Sequence, residues 1–569
     1  HPTSPHRRKA HKRLTQYFPR PMNLRPVTQA VVAVTLLGGV APADDVVEAG
    51  RLIYEQGILP NGDLLIATRP EGLILEGQYA ACTTCHRRSG MGSVEGIVSS
   101  AILVPPLAGP LLFAPGKFAN SFLDETHHYV PHITWRRAMT RPAYDPATFA
   151  DALRNGVNSS GEALDAPMPH YDLDEKSAAA LVAYLQQLTS EPAPGVDQDR
   201  LHVATIITPH AHPDDADSVL GVLRAWAKAA GSIAIPWGLH EWRLRGEPGT
   251  WQRQLDDFYA SQPVFAVVSG AGGVEWQPVH DFCERRRLPC LMPSVQAAPR
   301  DRDAWYSVYF SPGIGLEAKI LARHLLERPT EGRIVQIAGG AVGRHAATEF
   351  SQAMAGRDVE ISTRTFRSIS PLAALGDLRP DDTIVLWLRA EHVNTLTSLF
   401  PDASNIAQVY LAGLLAPPKG VALPPIWRSR TRFVSLFDDL TLQAEIAQLR
   451  LARWLRQNGL DTTLNRRVQA DAYAASYLFD EALEITRRQE ERRPPVPLSR
   501  EHVLEILEDV LSKFADGTTF IDTEIHVAWY GRMSLGPNQR IATRGGRILR
   551  YADARTDRLE AVGERIVPR

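Results

Sequence analysis

Cys82-Thr83-Thr84-Cys85-His86 is the stretch on which the reading of this chain turns. Two thiols at i and i+3 fall on one face of a helical turn. There each can form a thioether with a haem vinyl group, and the histidine that follows sits under the iron as its axial ligand. The whole chain has only four cysteines. A zinc site would need a further Cys or His pair close by, and the neighbouring sequence offers none. The motif therefore predicts one covalently bound haem c, attached through Cys82 and Cys85 and ligated by His86.

The N-terminus agrees with that chemistry. Residues 1–21 are basic, rich in Pro and His, and do not begin with Met, so they read as an upstream extension. Residues 22–43 read as an export signal: Arg25 in the charged region, an apolar run from Ala30 to Val40, then Ala41-Pro42-Ala43 as a cleavage site. The run is short for a membrane span. The expected location is the periplasm, with an uncleaved anchor as the alternative. Residues 1–43 hold seven Lys/Arg and no acid, so their removal leaves 55 basic against 64 acidic residues. That balance argues against a nucleic-acid partner.

Composition divides the rest near residues 189–200, where Thr189-Ser190-Glu191-Pro192-Ala193-Pro194-Gly195 reads as a linker. Upstream, from 46 to 188, helical patterns alternate with irregular stretches and no strand is convincing. Downstream, from 201 to 560, apolar runs alternate with amphipathic helices. Expected strands are Leu201–Thr208, Val264–Ser269, Arg333–Ala338, Thr383–Leu388, Gln408–Leu411 and Arg432–Leu436, with a helix over Asp215–Ala230. This alternation implies βαβ units and parallel sheets. Cys283 and Cys290 stand apart from the haem motif. In an oxidising compartment they are expected to form a local disulfide, worth about 2–3 kcal/mol if unstrained, and the other reading is two buried thiols.

Residues 46–188 resemble a class I cytochrome c domain, an all-α fold. Gly50 and Tyr54 resemble the small and aromatic pair of the first helix, which crosses the last helix at Tyr184. The loop Ser89–Gly96 resembles the glycine-rich loop that follows the haem motif. Pro106-Leu107-Ala108-Gly109 resembles the turn whose proline carbonyl accepts the Nδ1 proton of the axial histidine. The resemblance gives this role to Pro106, with Pro105 the adjacent register. Pro167-Met168-Pro169, ahead of Tyr171, resembles the segment carrying the sixth iron ligand, here Met168. Met91, Met139 and His170 are its rivals, and His127, His128 and His132 crowd one further segment. About thirty residues between the first helix and the haem motif, and an insert from Lys117 to Arg141 with Trp135, depart from the small members of the family.

Residues 201–560 resemble the type 1 periplasmic binding proteins, which include amino acid and amide binders. The resemblance rests on the opening strand with Thr208-Pro209-His210, on the strand, glycine loop and helix of Val264–Phe282, and on Ser534–Arg540. It implies two α/β lobes that close over a small-molecule ligand such as an amino acid or amide. Ser269 and Gly270 stand where that family presents ligand-binding groups, although a tight βα turn explains them equally well. Asp438 and Asp439 could meet a ligand's ammonium group or simply cap a helix. Gly270–Gly273 lacks the Lys-Ser/Thr of a phosphate loop.

The fold expected is thus an all-α cytochrome c domain followed by an α/β two-lobed domain. His/Met ligation fills both axial sites, so the haem is expected to pass single electrons rather than to act on a substrate. The chain reads as an electron carrier, or a dehydrogenase-associated cytochrome subunit, more than as a catalyst. Expected partners are a periplasmic dehydrogenase, other cytochromes or an oxidase. The alternative is a solute-binding or sensory protein in which the haem is ancillary or signalling.

Overall fold

The computed structural model describes residues 43–568 except 96–101, 118–139, 165–166, 199, 230–234, 302, 331, 367–377, 403–405, 438–439, 491–495, 517–527, 531–532 and 537–538. The export signal, Met139, Trp135, His127, His128, His132, Asp438 and Asp439 lie outside the described residues.

The N-terminal unit is framed by the helix Ala43–Gln56, with Asp44 and Asp45 in its first turn, and the helix Glu175–Gln187. Acids at a helix N-terminus suit its dipole. Asp174 caps the second helix by accepting from the Ser177 amide at 2.6 Å. The two cross where the sequence places a glycine. A Cβ on Gly50 would lie 2.0 Å from the Ala180 carbonyl oxygen. Tyr54 and Tyr184 fill the crossing with ring centroids 5.4 Å apart. A third helix, Pro146–Asn155, opens with a capping box between Asp145 and Thr148 and ends at Gly156, whose φ is 68°.

The unit is not all-α. Ile66–Thr68 (β1), Ile74–Glu76 (β2) and His170–Tyr171 (β7) form a sheet in the order β2-β1-β7. Ser93–Glu95 (β3) pairs with Ile102–Val104 (β4), and Gly116–Lys117 (β5) with Thr140–Arg141 (β6). Strands of two or three residues are too short to produce a period-two pattern, which is why the sequence reads as irregular there.

Beyond residue 200 the chain forms two α/β lobes. The first has the strands Leu201–Ile207 (β8), Trp237–Arg243 (β9), Ala266–Gly272 (β10), Cys290–Leu291 (β11), Ser294–Val295 (β12) and Ser307–Val308 (β13). They are parallel in the order β13-β11-β10-β8-β9, with β12 also on β10. The second has Ile334–Gly339 (β14), Ile361–Phe366 (β15), Thr383–Trp387 (β16), Gln408–Ala412 (β17) and Thr431–Ser435 (β18), parallel in the order β15-β14-β16-β17-β18. Arg547–Tyr551 (β19) and Leu559–Ala561 (β20) extend that sheet antiparallel. The strands expected from the sequence are present to within a few residues. β9 was not foreseen, because Trp-Gly-Leu-His-Glu-Trp-Arg mixes polar and apolar residues without a clean apolar run.

The helices Leu442–Gln457, Arg466–Glu490 and Arg500–Asp516 follow the second sheet in sequence but pack on the first. Leu451, Phe479 and Leu504 share a core with Leu201, Val203 and Val268. The chain therefore passes between the lobes three times, near Phe310, near Phe437 and along 533–546. Two of these crossings are bonded together: Ala542 donates to the Tyr309 carbonyl at 2.9 Å and Thr543 to that of Phe310 at 2.8 Å.

The N-terminal unit is seated on the first lobe. Ser89 donates its amide to Glu505 at 2.9 Å, and its hydroxyl also bonds that carboxylate. Glu55, inside the N-terminal unit, meets Arg287 of the lobe at 3.1 Å. Arg88 lies over the Trp305 ring at 4.8 Å. The 189–200 stretch is packed as well: Ala193 donates to Leu498 at 3.2 Å, and a Cβ on Gly195 would lie 2.2 Å from the Phe265 nitrogen.

Candidate functional site

The haem motif forms the short helix Thr83–His86, preceded by Cys82 with helical backbone angles. Cys82 is buried in a core with Tyr54, Leu153, Tyr171 and Leu181, and half-buried Met168 packs against that core. His86 is buried, and its Nδ1 donates to the Pro105 carbonyl at 2.8 Å. The acceptor is thus Pro105 and not Pro106, one residue earlier than the resemblance implied. This bond fixes the ring and leaves Nε2 without a hydrogen-bond partner. Burial pushes the imidazole down to about 4, with the Pro105 carbonyl opposing, so the ring is neutral as metal ligation requires. Burial also drives the Cys82 thiol up to about 12.

These residues fit a haem c: a helical turn presenting two thiols that form no disulfide, and an oriented neutral imidazole. Of the rivals to Met168, Met91 packs instead with Ala108, Leu111 and Val496, at the seam with the first lobe. His170 is exposed and faces Gly156, its Nε2 standing 2.5 Å from where a Cβ would be. Among the described residues, no group of three or more His, Cys, Asp or Glu side chains is arranged to hold a metal ion.

A second constellation lies where the two sheets end. In open α/β sheets ligands gather at the carboxyl ends of strands, where the strand order reverses. In the first lobe β8 and β10 are those strands. Their register shifts between Val267 and Gly270, and Ser269 takes φ 54°. The Ser269 hydroxyl is buried with no hydrogen-bond partner, as are the Thr208 hydroxyl and the Gln296 Oε1. Gly270 has φ 136°, and a Cβ there would lie 2.8 Å from the Ile206 carbonyl oxygen. Both expected residues thus sit inside β10 at its register shift, Ser269 with an unused hydroxyl and Gly270 for close packing.

Asp471 on the helix Arg466–Glu490 ties this region together. It accepts from Ser294 Oγ at 3.0 Å and from the Tyr530 hydroxyl, and pairs with Arg467 at 3.4 Å. Arg467 lies over Phe437 at 5.4 Å, while its buried Nε and Nη1 find no acceptor. Phe437 and Phe310, both at lobe crossings, flank Tyr530 at 5.1 and 4.4 Å. From the second lobe come Glu317 and Arg389. Glu317 is fully buried and accepts from the Leu414 amide at 3.1 Å; burial pushes its carboxyl well up, opposed by that amide and by Arg467. Arg389 approaches Asp215 of the first lobe at 3.8 Å. Sequence reasoning missed Arg467, Asp471, Glu317 and Tyr530. A signal existed in Arg467 and Asp471, four apart beside the Ala-rich run of a helix that packs on a sheet.

Cys283 and Cys290, expected as a disulfide, are free thiols in the structure, both fully buried. Burial first, then Cys290 beside it, pushes the Cys283 thiol well up. The strand β11 and the helix Gln277–Arg285 bring them together inside a core with Trp242 and Phe282.

No family model and no curated protein matches the chain. Solved structures similar to it include a branched-chain amino acid ABC transporter protein from Thermus thermophilus with bound valine. That match has 12% identity, covers 65% of this chain and 97% of the other, and has a TM-score of 0.48. A fatty acid ABC transporter substrate-binding protein from Thermomonospora curvata is 11% identical over 66% of this chain and 95% of its own, with a TM-score of 0.47. A leucine binding protein from Thermotoga maritima is 11% identical over 65% and 99%, with a TM-score of 0.45. The two-lobed description rests on the strand orders themselves. Among the described residues no helix is long and apolar enough to cross a membrane.

Proposed function

We propose that the chain is a periplasmic two-lobed small-molecule-binding protein that carries one covalent haem c on its N-terminal unit. The observation behind the binding role is a set of buried polar atoms left without a partner in the first lobe and the helix packed on it: Ser269 Oγ, Gln296 Oε1 and the Nε and Nη1 of Arg467. Buried polar atoms left unpaired in a folded protein are costly, and a ligand that completes them recovers that cost. Two unused guanidinium N–H groups favour a carboxylate or amide oxygen. An amino acid, an amide or a short carboxylate is therefore the proposed ligand class. Calorimetric titration of the full chain with a panel of these tests the reading. Micromolar or tighter binding by one of them is expected, and no binding across the panel would overturn it.

The haem reading is supported by the neutral imidazole of His86, held by the bond to Pro105. Haem c bound there supplies one-electron oxidation and reduction. Cys82 and Cys85 would hold it, His86 and Met168 would ligate its iron, and Tyr54 and Tyr171 would keep water from the buried side. Expected redox partners are a dehydrogenase, another cytochrome or an oxidase. A visible spectrum of the reduced protein with and without carbon monoxide is the test. An unchanged low-spin spectrum supports ligation by His86 and Met168, and a clear shift means that the sixth position is open. Cys283 and Cys290 carry no S–S bond in the structure but share one core, and the proposal is that they close a disulfide in the oxidising compartment, read as resistance of both to alkylation after denaturation without reductant.

A further inference from the structure

Ten large apolar side chains are exposed among the described residues, and five of them fall in one stretch of sixteen residues: Leu64, Ile66, Leu73, Ile74 and Tyr79, at 54, 46, 51, 60 and 78%. The strands β1 and β2 place Leu64, Ile66 and Ile74 on one face, with Leu73 where the hairpin turns. Leu65 and Ala67 turn into the core, so Leu64 and Ile66 face out. Ile74 stands opposite Thr68 on the same pair of strands, diagonal to Ile66. Leu64 borders Gly77, a Cβ there meeting Leu64 Cδ2 at 3.1 Å, and the turn Gly77–Tyr79 carries Tyr79 outward beside it.

This face adjoins both ends of the haem site. The turn Gly77–Tyr79 leads directly to Cys82 and is tied to the motif by Thr84 Oγ1, which donates to the Gln78 carbonyl at 3.2 Å. On the other side β1 pairs with β7, which starts two residues after Met168. The seam with the first lobe uses other residues, Glu55, Arg87, Arg88 and Ser89, so the apolar face is left free.

The charge around the face narrows what covers it. Asp63 and Glu71 are exposed beside it, Glu76 is exposed on it opposite Ile66, and the one base in that stretch, Arg69, is 4.0 Å from Glu71. An anionic lipid surface would be repelled by such a rim. A second copy, docking through the same patch about a twofold axis, would oppose like charges. A basic protein matches it.

We propose that the outer face of the β1–β2 hairpin is the docking surface for a basic redox protein whose cofactor edge lies in an apolar patch ringed by Lys or Arg. This rests on the haem reading. Five side chains make a small contact, suited to a transient electron-transfer encounter and not to a permanent complex.

The test uses the haem-loaded full chain and a basic blue-copper protein as probe. Ile66→Ser with Ile74→Ser removes the apolar centre, and Glu71→Lys with Glu76→Lys reverses the rim. Each pair is expected to lower the second-order transfer rate about tenfold and to weaken the calorimetric Kd for the probe in parallel, the charge reversal also removing its salt dependence. Reduction by ascorbate and the reduced spectrum should not change, because the substitutions are on the surface. An intact haem spectrum with unchanged rate and Kd overturns the proposal. So does a change confined to self-association or to binding of anionic vesicles. A chain that carries no covalent haem overturns the haem reading first, and this inference with it.

Discussion

Arg87, the residue directly after the C-x-x-C-H motif, forms a two-pronged ion pair with Asp509 on the helix Arg500–Asp516, Nη2–Oδ1 at 2.8 Å and Nη1–Oδ2 at 3.1 Å. Arg87 adopts φ 62°, so the chain leaves the motif helix through a left-handed residue and delivers the side chain to the lobe. The C-x-x-C-H turn and the first lobe are thereby packed as one structure rather than as two domains on a tether.

That pair sets the first expectation. Its side chains are 24% and 33% exposed, so solvent screening limits its strength despite the paired geometry. Asp509→Ala and Arg87→Ala, combined in a double-mutant cycle, should give a coupling of about 1 kcal/mol in denaturant unfolding. Additive single effects would show that the pair does not hold the seam.

Glu505, two hydrogen bonds from Ser89, governs a pH dependence. Burial pushes its carboxyl from 4.5 up to about 7, while Ser89 and Arg87 pull it down. The folded state therefore binds the proton more tightly than the unfolded state. Below about 4.5 both states hold it. Between 4.5 and 7 only the folded state does, so this group's contribution to stability is present at acid pH and lost as pH rises through that window. Glu505→Gln removes the titration. Stability of the variant relative to the parent should rise from pH 4.5 to 7, by on the order of 3 kcal/mol. A flat difference curve would contradict the buried, protonatable carboxyl.

Gly50→Val tests the helix crossing. The new side chain would start 2.0 Å from the Ala180 carbonyl oxygen and 2.8 Å from Tyr184 Cβ, contacts that only a shift of the helix can relieve. Overpacking of this kind costs about 2–3 kcal/mol. Thermal unfolding followed by circular dichroism should show the N-terminal unit melting earlier, with the α/β lobes little changed.

For the cleft, Arg467→Ala should weaken the tightest ligand found in the panel by about tenfold or more, and Arg467→Lys should recover only part of it. Lysine keeps the charge but not the planar pair of donors. Calorimetry reads both, and full affinity in Arg467→Ala would remove that residue from the site.

Much of the architecture was legible because its signals are local and repeated. Runs such as Ile334–Gly339 and Thr383–Trp387 are apolar but for Gln336 and Thr383, as suits strands covered on both faces. The pairing of Gly50 and Tyr54 with Tyr184 comes from the family resemblance, and the helix crossing has that geometry. The short sheet β2-β1-β7 could not be foreseen, since two or three residues carry no period. Pro105 and Pro106 are adjacent, and only the three-dimensional bond to His86 chooses between them. The candidate site was legible only at Ser269-Gly270, where β10 changes register. Arg467 and Glu317 lie about 200 and 50 residues further along, and their meeting depends on three lobe crossings that no local pattern encodes.

The seam also has a consequence in time. Ser89 and Glu505 are 416 residues apart in the chain, and Arg87 and Asp509 are 422 apart. During synthesis the motif emerges long before the helix that will cover its flank. At several residues per second, that interval lasts from about twenty seconds to over a minute. The thiols of Cys82 and Cys85 can thus be modified while the loop behind them is still bare. The topology thus leaves that flank uncovered until Arg500–Asp516 has followed, and a chain cut short before residue 500 would keep the motif but lose its seat.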